Sequence, residues 1–322
     1  ILRIQSDLSK TLERPKTLPH YICFDEVSST SDSISKMSFV YADALTHKMQ
    51  NILQGRTNKI IKDYFLYYSY QERCKVKAVV IDMNSGYKSI IRELFPNAKI
   101  VIDRFHIIQL VNRAFNKYRV SFMNSIKDKN KELYRQLKCY WKNLLTSYDE
   151  LDNGTHKKFK YFKYITTEQD IVNYLIKQDS QLYKCYWLIQ DLREALEKDD
   201  FDSFKALIND KSTLPRYMFT AIKTLRKYKR QIKNTMYYNG LSNGPLEGIN
   251  NKIKVIKRIS YGYKSFSNFK AKILLIFSLF TPSETNKKPR YSKEERQAVL
   301  AKKKEIRLKR KNRKKAILLN IA

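Results

Sequence analysis

Three short apolar runs of this sequence each end in an aspartate: Asp25, Asp82 and Asp103. One carboxylate at a strand end is commonplace, because helix capping or solvation accounts for most such residues. Three in the first third of a basic chain are less ordinary, since clustered carboxylates raise one another's pKa unless a cation neutralises them. Mg²⁺ takes oxygen ligands, and two such ions can assist the attacking and the leaving oxygen of a phosphodiester exchange.

The segment 241–258 predicts an amphipathic helix. Ser242 or Asn243 can cap it, and Pro245 suits its first turn. One face is apolar, with Ile249, Ile253 and Ile256. The opposite face has one acid followed by amides and cations: Glu247, Asn250, Asn251, Lys254 and Arg258. This order suits a carboxylate beside a metal and neighbours along a nucleic-acid backbone. Considered alone, however, it is more typical of an ordinary exposed helix with a favourable Glu near its N-terminus.

Residues 20–106 predict the scaffold that positions the aspartates. Apolar, β-prone runs predict five strands, at Tyr21–Val27, Met37–Asp43, His47–Leu53, Val76–Asp82 and Lys99–Asp103. Helical spacing is found at Thr57–Tyr68 and Gly86–Phe95. Strands that alternate with helices indicate an α/β fold whose sheet has parallel members. Asp25 then lies on the first of these strands, Asp82 on the fourth and Asp103 on the fifth.

From residue 107 to about residue 240 the apolar spacing is helical throughout, as at Leu188, Leu192 and Leu196. Residues 284–322 are polar and basic, and the run 302–315 has ten cations and one acid. Such a run is usually a solvated tail or helix face, but here it predicts non-specific contact with phosphates.

The net charge of +33 comes from 64 basic and 31 acidic residues. Residues 20–106 are nearly balanced, with 12 basic and nine acidic residues, whereas residues 107–240 have 26 and 15 and residues 241–322 have 22 and five. A globular protein this cationic meets a polyanion, and nucleic acid is the leading candidate.

The composition excludes several classes of protein. A hydrophobic fraction of 43% excludes intrinsic disorder. The longest apolar runs, such as 273–280, fall short of the roughly 20 residues that a membrane span needs. The four cysteines are scattered without metal-ligand spacing, which favours a reducing cytoplasm over a disulfide framework.

Four motifs together resemble the ISL-three group of bacterial insertion-sequence transposases. They are the segments around Asp25, Val79–Tyr87, Val101–His106, and Asn243–Arg258 with Tyr261–Phe266. The resemblance covers about residues 20–280. It implies a DDE transposase with a ribonuclease-H-like mixed sheet, a large all-helical insertion, and DNA cleavage and joining with two Mg²⁺ or Mn²⁺ ions.

In such transposases the first strand, the fourth strand and a later helix carry the metal ligands. The resemblance therefore implies that Asp25, Asp82 and Glu247 form the catalytic triad, with Asp103 and His106 as supporting residues. An alternative makes Asp103 the second ligand and Asp82 structural; strand order favours Asp82. The implied DNA-binding residues are Asn250, Asn251, Lys254, Lys257, Arg258 and Lys264.

The implied organisation has five parts. Residues 1–19 are the linker tail of a missing N-terminal DNA-binding module, 20–106 and 241–283 form the core, 107–240 the helical insertion, and 284–322 the basic tail. The expected partners are transposon-end and target DNA and further copies of the chain, with no membrane and no small-molecule substrate, in the bacterial cytoplasm near the nucleoid. Two rival functions remain: a transposase remnant that only binds DNA, and a ribonuclease-H-like nuclease or resolvase that cuts without joining.

Overall fold

The computed structural model describes residues 15–83, 86–210 and 212–279. Its centre is a five-stranded mixed sheet in the order β3-β2-β1-β4-β5. The strands are β1 Tyr21–Ser28, β2 Met37–Asp43, β3 Met49–Leu53, β4 Ala78–Ile81 and β5 Lys99–Ile102. The α/β prediction and all five predicted strands are confirmed. β1, β2 and β3 are antiparallel neighbours, whereas β1, β4 and β5 run parallel to one another.

Helices cover both faces of this sheet. The helices on one face are α1 Asn58–Leu66, the short α2 Tyr70–Cys74, and α3 Lys88–Leu94. Those on the other face are α11 Gly244–Ile259 and α12 Phe266–Leu279. Alternate residues of β1 enter the two separate cores, Phe24 beneath α1 and α3 and Cys23 beneath α11 and α12. The sheet is therefore the middle layer of three.

Between β5 and α11 the chain is mostly helical. These helices are α4 Arg104–Ser125, α5 Lys131–Cys139, α6 Trp141–Leu145, α7 Glu168–Ile176, α8 Ser180–Glu197, α9 Phe201–Asn209 and α10 Arg216–Tyr237. The prediction of an all-helical insertion is wrong in one detail, since β6 Lys157–Lys158 and β7 Ile165–Thr166 form a small antiparallel pair. The chain reverses direction between them at residues 159–164, which are rich in Phe and Tyr and so favour extended structure, and Tyr161 has a positive φ of 66° there.

The last helix of this stretch closes one edge of the sheet. The Thr235 hydroxyl on α10 accepts a hydrogen bond from the Ile102 amide at 3.0 Å and lies 2.8 Å from the Ile102 carbonyl oxygen. The Asn234 amide donates to the Ile100 carbonyl at 2.9 Å. Side chains of α10 thus satisfy backbone groups of β5 that a further strand would otherwise pair.

Thr235→Val tests this edge closure, because valine keeps the shape of threonine and removes the hydroxyl. We expect it to lower the free energy of unfolding by about 1–3 kcal/mol, the cost of leaving buried polar groups unpaired. Urea denaturation measures it. The control is Thr220→Val, since Thr220 is on the same helix and its hydroxyl also bonds the carbonyl four residues earlier, but it is exposed. Equal losses in the two variants would contradict the edge role.

No helix in the described ranges is long and apolar enough to cross a membrane. All four cysteines are free thiols. The predicted linker tail lies mostly outside the described residues, and the predicted basic tail lies wholly outside them. The division of residues 20–283 into core and insertion stays a prediction, because the described chain forms one compact unit.

Candidate active site

The ends of β1 and β4 bring two of the predicted aspartates side by side. The parallel register pairs Cys23 with Val80. Continued by two residues, it sets Asp25 beside Asp82. β4 and β5 pair Ile81 with Ile102, so Asp103 follows at the same edge. Asp82 and Asp103 directly follow β4 and β5, and Asp25 lies within β1, two residues beyond its last pair with β4. All three carboxylates therefore belong to the same edge of the parallel strands, where α/β sheets commonly bind their ligands.

Asp25 is held by the helix that packs over its strand. The Asn250 side-chain amide on α11 donates to Asp25 Oδ2 at 2.8 Å, and the Glu26 backbone amide donates to Asp25 Oδ1 at 2.8 Å. The pKa of Asp25 is raised to about 6, mainly by burial and in part by the neighbouring Asp82 carboxylate, while the hydrogen bond from the Glu26 amide lowers it. Asp25 is thus a fixed, crowded carboxylate.

Asp82 contacts His106 on the first turn of α4. His106 Nε2 lies 2.6 Å from Asp82 Oδ1. This contact is the main reason that the pKa of His106 is raised, and the carboxylates of Asp103 and Glu247 raise it as well, while burial lowers it. The contact with Asp82 therefore shifts His106 toward its protonated form.

Asp103 has a different environment, because both its oxygens accept backbone hydrogen bonds. Oδ1 accepts from the Phe105 amide at 2.7 Å and thereby caps α4, and Oδ2 accepts from the Asn243 amide just before α11. The residue is 5% exposed. This carboxylate joins the point where the chain leaves the sheet to the point where it returns.

The loop before α11 is fixed over the strand ends. Besides the Asn243 bond to Asp103, the Cys23 thiol donates to the Ser242 carbonyl at 3.3 Å. Asn243 is the N-cap residue and Pro245 lies in the first turn, although the Asn243 side chain makes no capping bond. Glu247 consequently lies in the first turn of a helix that starts at the aspartates, and its side chain is exposed.

The side chains at this site determine whether it could hold a metal ion. In the part of the chain that the structure describes, no three His, Cys, Asp or Glu side chains lie close enough to hold a metal by themselves. Asp25 and Asp82 are nonetheless neighbouring carboxylates, and Mg²⁺ is commonly held by one or two carboxylates together with substrate phosphates. A divalent ion would also relieve the crowding that raises the Asp25 pKa. The pair therefore fits a hard divalent ion whose remaining ligands come from DNA.

The outer face of α11 carries most of the predicted DNA-binding residues. Those with exposed side chains are Asn251, Lys254, Arg258 and, in the turn after the helix, Lys264. Asn250 is 7% exposed and bonded to Asp25, so its position differs from the predicted exposed face. Lys257 donates to the carbonyls of Ser28 and Ser29 at 3.0 and 2.8 Å and so contacts the end of β1.

Sequence reasoning missed the contacts that Asn250 and Lys257 make with β1. Both residues lie on the border between the polar and the apolar faces of α11, about two turns from each other. The helical spacing alone contained a signal, because position 250 lies one turn before the buried Ile253. The direction of an amide at such a border depends on what the neighbouring strand offers, which here is the Asp25 carboxylate.

Two curated relatives show similarity over part of their lengths. A Lactococcus lactis subsp. lactis protein named ATP-dependent protease is 39% identical over 150 residues, which are 44% of this chain and 48% of that protein. The transposase for insertion sequence element IS1001 of Bordetella parapertussis is 25% identical over 263 residues, 80% of this chain and 61% of that protein. The chain thus spans less than two thirds of either relative. No solved structure matches it.

A family model described as a transposase, of the DDE type and the ISL-three group, matches residues 22–273. The matched range runs from β1 through α12 and includes every predicted catalytic residue. This range is most of the chain, and the IS1001 transposase is similar over the larger part of it. The chain belongs to the ISL-three group of DDE transposases.

Proposed function

We propose that this protein cuts the DNA at the ends of an insertion sequence and joins the ends to a target. One observation carries the proposal: Asp25 and Asp82 are neighbours by the register of β1 and β4, and α11, the helix that bears Glu247, contacts Asp25 through Asn250. The family membership supports it.

In the proposed mechanism Asp25, Asp82 and Glu247 would hold two Mg²⁺ or Mn²⁺ ions. When bound, these ions supply charge stabilisation for the attacking and the leaving oxygen of the phosphodiester. Asn250 keeps Asp25 aimed at the site through the 2.8 Å hydrogen bond. Glu247 is exposed and has the freedom to turn toward the two aspartates when DNA and metal are present.

His106 and Asp103 have supporting roles in this proposal. His106 orients Asp82 and offsets part of the negative charge of the site when no metal is bound. Asp103 fixes the start of α11, so it sets the height of Glu247 over the strands. This assignment keeps Asp82 as the second ligand, because the two Asp103 oxygens already serve backbone amides.

We further propose that the sheet is ribonuclease-H-like. Its support is the order β3-β2-β1-β4-β5, with only β2 antiparallel to both its neighbours, and helices on both faces. The proposed partner is DNA, along the exposed cations Lys254, Arg258 and Lys264. Because the two transposon ends must be brought together before they are joined to the target, we propose that at least two copies of the chain act on the DNA.

A product assay tests the function. The substrate is a labelled duplex that spans one end of the element encoding this chain, incubated with a plasmid target and either Mg²⁺ or a chelator. We expect nicked end DNA and plasmid-joined DNA with Mg²⁺, and neither with the chelator.

The alternatives give different products in the same assay. Cut DNA without joined DNA would indicate a nuclease or resolvase, and bound but uncut DNA would indicate a remnant that only occupies its site. Cleavage that is undiminished by the chelator would contradict the metal-dependent mechanism.

A further inference from the structure

A cleft between α3 and α10 is lined by cations and lies away from the aspartates. It has a volume of about 190 Å³ and lies where α3, the start of β5 and α10 meet. Its charged lining residues are Arg92, Lys99 and Arg230, each exposed. Among the residues that the structure describes, no acidic side chain lines it.

The positive charge around this cleft has no internal compensation. None of Arg92, Lys99 and Arg230 makes a salt bridge within the described residues. The acid nearest in sequence, Glu93, pairs with Lys62 instead. Helix α10 contains no aspartate or glutamate along its whole length. Like charges that gather without acids cost free energy, which a bound polyanion recovers.

Two further cations extend the same surface, Lys88 on α3 and Lys227 on α10. Lys88, at the start of α3, has its ammonium 3.1 Å from the centre of the Tyr228 ring. The charges of Lys227 and Arg92 act on this ammonium and, together with burial as the larger cause, lower its pKa. These groups therefore lie near enough to one another to form one positive surface with the cleft.

A buried amide adds hydrogen-bonding capacity to the cleft. Gln231, which is 7% exposed, lines it between Arg230 and the edge of β5. Its side-chain oxygen is buried and receives no hydrogen bond within the described chain. Buried amides are rarely left unpaired in folded proteins, so this one points to a ligand or an ordered water in the cleft.

We propose that the α3–α10 cleft, defined by Arg92, Lys99, Arg230 and Gln231, binds backbone phosphates of the DNA that the active site cuts. This inference rests on the proposed function. Lys99 starts β5 and Asp103 follows its end, so the cleft lies roughly 13 Å along the strand from the aspartates. That length equals about four base-pair steps, which one bound duplex spans.

The test compares DNA binding by two double variants in the presence of a chelator, so that no cleavage occurs. Arg92→Gln/Arg230→Gln removes two cleft cations, and Lys177→Gln/Lys205→Gln removes two exposed lysines elsewhere in the helical stretch. Fluorescence anisotropy of a labelled duplex is measured over a range of salt concentrations. We expect the cleft variant to bind about tenfold more weakly or worse, with a salt slope smaller by about two. The control variant should stay near the wild type.

Two further measurements make the result decisive. Arg92→Lys/Arg230→Lys keeps the charge and should keep the salt slope, and thermal unfolding of each variant shows that it is folded. Equal losses in the two Gln double variants would overturn the proposal. Tight binding of tripolyphosphate that the cleft variant loses, with its DNA affinity unchanged, would also overturn it in favour of a small phosphate ligand. If the wild type binds no duplex, the proposed function itself fails before the variants are compared.

Discussion

Asp82→Asn is expected to abolish most DNA cleavage while leaving the protein folded. Asparagine has the size of aspartate but lacks the charge that, in the proposed mechanism, would hold a divalent ion beside Asp25. A loss of about 4 kcal/mol of transition-state stabilisation corresponds to about a thousandfold in rate. Asp82 follows the last residue of β4 and is partly exposed, so few packing contacts change. The cleavage rate with labelled end DNA measures the effect.

Asp103→Asn is the matched comparison, because both aspartates follow parallel strands. Its Oδ2 accepts the Asn243 amide, and an asparagine –NH₂ group in that place cannot accept a hydrogen bond. We expect a free energy of unfolding lower by about 1–3 kcal/mol, measured by urea denaturation, and a smaller loss of cleavage per folded molecule than in Asp82→Asn. If Asp103→Asn instead unfolds like the wild type and loses more activity than Asp82→Asn, Asp103 is the second ligand.

Glu247→Gln is expected to have an effect of the same size, because it removes only a charge. The side chain is exposed in the first turn of α11, so the fold should tolerate glutamine within about 0.5 kcal/mol. Cleavage should fall by about a thousandfold, by the same reasoning as for Asp82. Glu247→Asp should also be strongly impaired, since the shorter chain has less reach toward Asp25 and Asp82.

Glu132→Gln is the control for Glu247→Gln. Glu132 is also an exposed acid in the first turn of a helix, in α5. The two variants therefore share the substitution, the net charge change and the helix position. If Glu247→Gln cleaves DNA near the wild-type rate, Glu247 is not a catalytic residue. If both variants lose the same activity, the loss comes from the change in net charge and not from the position of Glu247.

The order of elements was predictable from the sequence because each strand is short, apolar and bounded by turns. The run Ala78–Ile81 is buried on every side, which is typical of a central parallel strand. The juxtaposition of Asp25 and Asp82 follows from that order, since parallel neighbours end at the same edge.

The roles of individual polar side chains were less predictable. Asp103 and Asp82 look alike in sequence, each an aspartate after an Ile, and they differ only in what surrounds them. The amide that separates their roles belongs to Asn243, which is 140 positions away from Asp103 along the chain. Likewise, nothing local to Thr235 indicates that its hydroxyl bonds β5. Such contacts depend on how distant segments pack, which periodicity does not contain.

The hydrogen bond between Asp103 and Asn243 joins the two ends of the long, mostly helical segment between β5 and α11. Segments between α4 and α10 can therefore grow or shrink during evolution without moving the proposed catalytic acids, since lengthening a closed loop costs little entropy. The two boundary helices lack this freedom: α4 starts at Asp103, and α10 bonds β5 through Asn234 and Thr235. We therefore expect differences in length among relatives to concentrate in residues 126–215. The hydrogen bond between Asp103 and Asn243 and the contact of α10 with β5 should be retained.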